Sequence, residues 1–201
     1  NGEFIVVEAD EFDRTFLKLT PTIAALTTLE SEHLDTYKDL DDIKGAFIEF
    51  ANKVPFYGFV TLCLDEAALQ DIIRHINKKI ITYGLNVQAD VRATDIIHNG
   101  FVSTYKVKYF GEELGDITLK IPGDHNIKNS LVAVVIGKEL GIDFKVIKSA
   151  LESFSGVFRR FEVKYNKEIL VIDDYAHHPT EAAATLKGIR DGWDRRLIAV
   201  F

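Results

Sequence analysis

The stretch IDDYAHHPTE, residues 172–181, gathers two aspartates, a tyrosine and two adjacent histidines between an apolar run and a helix start. Polar groups packed that densely are unfavourable unless something binds them. Asp173 and Asp174 end a strand-like run, so their carboxylates stand at the strand edge where parallel α/β sheets take ligands. His177 and His178 are suited to metal ligation, proton transfer or donation to an anion. Adjacent histidines in a loop rarely point the same way. An aspartate facing a ribose, with Tyr175 and the histidines facing a second substrate, fits this chemistry better than a shared metal. Pro179-Thr180-Glu181 reads as a turn into a helix, with Thr180 the candidate cap.

Three further clusters carry candidate chemistry. In VVEADEFDR, Glu8, Asp10, Glu11 and Asp13 follow an apolar run and form either a site for a hard cation such as Mg²⁺ or a solvated acidic loop. His33, in LESEHLDTY, lies just past the next apolar run. Sequential strands are usually neighbours, which predicts that Glu8 and His33 meet at one sheet edge as a metal site; a capping histidine is the plain alternative. IPGDHNIKNS places His125 and Asn126 at a helix entry and Asn129 one turn along. Helix N-termini attract anions, and an asparagine amide matches the donor and acceptor edge of adenine; simple capping would need only one of the two. FRRFE offers two guanidinium groups suited to bidentate phosphate recognition or to an interdomain salt bridge.

The elements that must position these groups follow from periodicity. Short apolar runs at 4–10, 22–29, 58–64 and 79–85 predict buried strands. Between them, 39–54 and 65–78 carry apolar stripes at helical spacing, Ile43, Phe47, Ile48 and Phe50 in one, Leu69, Ile72, Ile73 and Ile76 in the other. Strand and helix alternating in this way predict an α/β fold with a mostly parallel sheet and flanking helices. From Ala89 to Ile121 the helical period disappears. Alternation over 101–109, the Asn-Gly turn signal of HNG and a further run at 112–121 predict a small inserted antiparallel sheet. Helices are expected again at 126–141, ending at Gly141, and at 143–154. A junction near residue 158 is followed by a strand pair, a helix over 180–193 and a last strand at 195–201. Residues 1–158 and 159–201 are therefore expected to form two domains.

Bulk properties narrow the class. Of 201 residues, 47% are hydrophobic and 27% charged, an ordinary globular balance. The net charge of −7, with cations spread along the chain, argues against non-specific nucleic-acid binding. A lone cysteine, Cys63, excludes an intrachain disulfide framework and, in its apolar setting, reads as a buried small hydrophobe. No apolar run approaches the ~18 residues of a membrane span, so a cytoplasmic protein is expected; the oligomeric state is not encoded legibly. The chain lacks methionine, opens on NGEFIVVEADE and closes on RRLIAVF. Both ends read as cut through a fold, so an excerpt of a longer polypeptide is expected.

Taken together and in this order, EADEFDRTFL, EHLDTY, IPGDHNIKNS, GVFRRFE and DDYAHHPTE resemble the Mur ligases of bacterial cell-wall synthesis. The resemblance implies the later part of an ATP-binding central domain and the beginning of a Rossmann-like C-terminal domain. It implies an ATP-dependent amide-bond ligase working through an acyl phosphate, with Mg²⁺, and Glu8 and His33 as its metal residues. It further implies that Asn129 reads adenine beside His125 and Asn126, that Arg160 reaches the ATP phosphates and, with His33, serves catalysis, and that Asp174 contacts ribose. Tyr175, His177 and His178 would face the substrate. HLDTY and HHPTE favour UDP-N-acetylmuramate and L-alanine as substrates over a preformed tripeptide. A nucleotide-binding homologue without catalysis is the rival from another class. The phosphate loop G-x-x-x-x-G-K-[ST] does not occur in these residues, so they are expected not to catalyse ligation alone. Phe12 stands where the family often has a small residue, and Ile48 near the place of a modified lysine in sister enzymes, so that modification is not expected.

Overall fold

Three short apolar runs, Ile23–Leu26 (β1), Phe59–Cys63 (β2) and Ile80–Gly84 (β3), pair in parallel with β2 in the middle. β2 is buried at every position, as expected of a strand covered on both faces. Cys63 lies within it, buried. Leu40–Asn52 (α1) begins at Asp39, whose carboxylate accepts the Asp42 amide hydrogen, with Asp41 and Asp42 complementing the helix dipole in the first turn. Its buried residues, Ile43, Ala46, Phe47, Phe50 and Ala51, form one stripe, against which Phe16 packs its ring. Ala67–Ile72 (α2) buries Leu69 and Ile72, then tightens into a 3-10 turn at Ile73–His75. The helix expected through residue 78 stops early because the Asn52 side chain captures the backbone of His75 and Asn77.

These elements belong to a first compact unit, ending at Gln88; a second begins at Ala89. The computed structural model describes residues 2–31 and 35–200.

In the second unit, Val91–Asn99 (β4), Val102–Tyr109 (β5) and Glu112–Leu119 (β6) form the expected antiparallel meander. Asn99 pairs with Val102 across a tight turn at Gly100 and Phe101, close to where the HNG signal placed it. Ser103, Tyr105 and Val107 are the buried face of β5. Asp124–Glu139 (α3) buries Ile127, Leu131, Val134 and Val135. It ends where Gly141, at φ 76°, donates to Lys138 and Ile142 donates to Gly137, a paired closure that satisfies the last carbonyls. Phe144–Ser153 (α4) is capped by the Asp143 side chain. Glu162–Asn166 (β7) and Leu170–Asp173 (β8) make a hairpin, and Pro179–Gly192 (α5) follows.

Two expected strands are absent among the described residues. Residues 4–10 are irregular, with Phe4 to Val7 between 54% and 97% exposed. Residues 195–200 are likewise irregular. An apolar run becomes a strand only where a neighbour takes its backbone donors and acceptors, and neither run has such a neighbour among the described residues.

Candidate functional site

The carboxyl end of β8 delivers Asp173 and Asp174 to one edge of the second unit. Asp174 divides its oxygens: one accepts the Phe161 amide hydrogen at 2.9 Å, the other the Ala176 amide hydrogen at 2.9 Å. The Tyr175 amide donates to the Arg159 carbonyl at 2.8 Å. Residues 159–161 and 174–176 are thereby fastened side by side. Arg159 and Phe161 both adopt the left-handed backbone region, at φ 55° and 53°. Non-glycine residues enter that region at a cost, and such residues concentrate where surroundings hold them for a purpose.

The alternation sends the two arginines apart. Arg159 lies over the Tyr175 ring, 4.8 Å from its centroid, and 3.8 Å from an Asp173 oxygen. The Arg160 guanidinium meets Glu181 at 3.1 Å. Phe161 turns inward and stacks near Trp193, which also meets Phe101 edge-on at 4.6 Å. Arg160, Phe161, Phe158, Phe101, Lys120 and Pro122 help line a cavity of about 450 Å³. Two cations among aromatic faces suit an anionic ligand carrying a planar ring.

α5 supplies the other wall of charge. His178 precedes its first turn, Pro179 occupies the first position, and Glu181 at the third reaches back toward the His177 and His178 amides at 3.2 and 3.5 Å. The N-cap is thus His178 rather than Thr180. Burial acts to raise the Glu181 carboxyl, but the Arg160 guanidinium and those two amides outweigh it and hold it below the usual range. His177 is exposed, and its Nδ1 lies 3.1 Å from the Tyr175 carbonyl, which can only accept. The proton therefore sits on Nδ1 in the neutral ring, leaving Nε2 as the acceptor nitrogen.

The N-terminus of α3 completes the neighbourhood. Gly123, at φ 97°, precedes it, and a Cβ there would stand 2.7 Å from the His125 ring, so the close seating of His125 requires glycine. Burial pushes the His125 imidazole down, partly offset by the Asp174 carboxylate. Asn126 does not cap: its side-chain amide donates to the Pro122 carbonyl at 2.7 Å. Asn129 lies exposed one turn along. His125, Arg160, Asp174, Tyr175, His177 and His178, distant in sequence, thus occupy one region. Glu8 does not end a strand; it is exposed within the irregular opening segment. His33 lies outside the described residues.

One cluster has no counterpart in the motifs. Asp124 accepts from Lys187 at 2.7 Å and lies 2.9 Å from His98 Nε2, while Lys187 also meets Asp191 at 2.6 Å. Burial raises the Asp124 carboxyl, but Lys187 and His98 outweigh it and the net shift is downward. His98, Asp124 and Asp191 have the donor atoms for a metal, yet the Lys187 ammonium already supplies the cation between the carboxylates. These residues come from β4, α3 and α5, so no local spacing announces them.

Fold and motifs converge on one class. The model of the Mur ligase middle domain matches residues 1–137, and that of the Mur ligase glutamate ligase domain matches residues 159–201. The chain belongs to the Mur ligase family. Over its whole length it is 51% identical to the UDP-N-acetylmuramate–L-alanine ligase of Geotalea uraniireducens and 53% identical over 203 residues to that of Persephonella marina, covering 44% and 43% of those proteins. The chain thus spans less than half the length of these relatives. Among solved structures, the UDP-N-acetylmuramate-alanine ligase MurC of Thermotoga maritima superposes with a TM-score of 0.79 at 25% identity, over 93% of this chain and 42% of that one. MurF from Acinetobacter baumannii, at 22% identity and a TM-score of 0.77 over 89% of this chain and 39% of that one, shares the fold.

Proposed function

We propose that the whole protein is an ATP-dependent ligase that joins L-alanine to UDP-N-acetylmuramate in peptidoglycan synthesis, working in the cytoplasm. The observation that carries this reading is identity of about one half, over every residue of the chain, to proteins named for that reaction. Among the described residues no helix is long and apolar enough to cross a membrane, in keeping with soluble substrates. In this reading residues 1–158 end the central domain and residues 159–201 begin the C-terminal one.

The chemistry proposed is carboxylate attack on the γ-phosphorus of ATP, giving an acyl phosphate and ADP, then attack by the alanine amine, giving the amide and phosphate. Negative charge accumulates on the phosphoryl oxygens, and Arg160 is the group of this site suited to offset it. Asp174 has lone pairs left for ribose hydroxyls, since a carboxylate offers about four acceptor positions and two are engaged. Asn129, exposed one turn along from His125 and Asn126, would read adenine. Tyr175, His177 and His178 face the acceptor substrate, with His177 Nε2 available to take a proton. Glu8 would hold Mg²⁺ together with His33: its exposed carboxylate is the oxygen donor such a hard cation takes. When bound, Mg²⁺ neutralises phosphate charge.

The test is phosphate release by the full-length protein with ATP and UDP-N-acetylmuramate, offering L-alanine or the preformed tripeptide in turn. Turnover with L-alanine alone is expected. Turnover only with the tripeptide, or nucleotide binding without phosphate release, defeats the proposal.

A further inference from the structure

We propose that Glu181 is a positioning residue for Arg160, an internal carboxylate that holds the guanidinium until a phosphate displaces it. This rests on the ATP reading above and adds a competitor to it. Glu181 is fixed independently of the arginine, because its second oxygen is engaged by the His177 and His178 amides at the start of α5. Arg160 has a fixed stem, flanked by two left-handed residues and by the grip of Asp174 on Phe161. Its guanidinium is half exposed and meets the other Glu181 oxygen at 3.1 Å. Arg160 lines the cavity of the site. The guanidinium therefore has two partners within reach of one stem, a resident carboxylate that meets it through one oxygen and a visiting phosphate that offers the paired oxygens its fork recognises.

Competition has a sign that a structural role lacks. Removing the resident charge leaves Arg160 uncommitted, so nucleotide should bind more tightly. An exposed pair of this kind is a weak competitor, and the expected gain is about threefold. ATP affinity is measured by direct titration of the full-length protein without the other substrates. Glu181→Gln keeps an oxygen for the helix cap while losing the charge, and Glu181→Asp keeps the charge but shortens the reach to Arg160. Both are expected to bind ATP about threefold more tightly than wild type. Ala183→Gly, on the exposed side of α5, lowers the melting temperature without touching Arg160 and is expected to leave ATP affinity unchanged. Unchanged or weakened affinity in both Glu181 variants, with binding weakened in Arg160→Ala, overturns the competition and leaves the nucleotide reading standing. A wild-type protein that binds no ATP overturns both.

Discussion

Asp174 and Phe161 are joined by an amide-to-carboxylate hydrogen bond of 2.9 Å that runs from the end of β8 to the turn before β7. Phe161 is held in the left-handed region and buried against Trp193, so this bond fixes which way Arg160 points. The same carboxylate closes the 174–176 turn. One aspartate thus connects the arginine side of the site to the tyrosine and histidine side.

Asp174→Ala is expected to release both amides, at a cost of ~1–3 kcal/mol for groups left without a partner. Denaturant unfolding of the full-length protein measures the loss. Amide exchange at Phe161 and Ala176 should accelerate together. Acceleration at one alone would mean that the two turns are held separately.

Asp124 gives the second unit a pH dependence whose sign is fixed. Its folded pKa is depressed, because Lys187 and His98 outweigh burial. The stability it contributes is therefore fully present above the ordinary carboxylate value of 3.8 and is lost as pH falls through the lower, folded value. Between pH 5 and pH 2, wild type should lose stability more steeply than Asp124→Asn. Parallel curves would show that Lys187 and His98 contribute nothing through this carboxylate.

The buried pair Tyr105 and Ser130 predicts an asymmetry. Their hydroxyls meet at 2.5 Å, and Ser130 also donates to the Ile127 carbonyl at 2.6 Å. Burial pushes the Tyr105 hydroxyl up to about 12. Tyr105→Phe leaves Ser130 with a partner and should cost roughly 0.5–1.5 kcal/mol, whereas Ser130→Ala strands a buried phenol and should cost roughly 1–3 kcal/mol. Unfolding midpoints of the two variants rank them.

What the sequence made legible was local. The continuous apolar run of β2, the stripe of α1, the alternation of β5 and the glycine stop after α3 each follow from residues within one element. What escaped it depends on distant partners. Phe4 to Val7 read as a strand because their composition is right, but strand formation is decided by a neighbour. α2 ends where Asn52 takes its backbone groups, and nothing in α2 encodes that. Two adjacent arginines were visible at 159 and 160. Their divergence was not, because left-handed conformations at Arg159 and Phe161 have no signature in residue type. The grouping of Lys187 with His98, Asp124 and Asp191 joins three elements and left no motif to read.

Trp193 offers a direct view of the site. It is the sole tryptophan of the chain and stands 6.0 Å from Phe161 and 4.6 Å from Phe101, both of which line the cavity beside Arg160. A nucleotide entering that cavity alters the surroundings of those rings, so ATP should change tryptophan emission in the full-length protein. The change should disappear in Trp193→Phe, which separates this residue from tryptophans elsewhere in the longer chain. In the proposed reading Arg160 meets the ATP phosphate, so the change should require a higher ATP concentration in Arg160→Ala. Removing one charge-assisted hydrogen bond costs ~1.5–3 kcal/mol, so the midpoint should rise roughly tenfold or more. An emission change that survives in Trp193→Phe, or a midpoint that does not move in Arg160→Ala, would place the nucleotide away from this cavity.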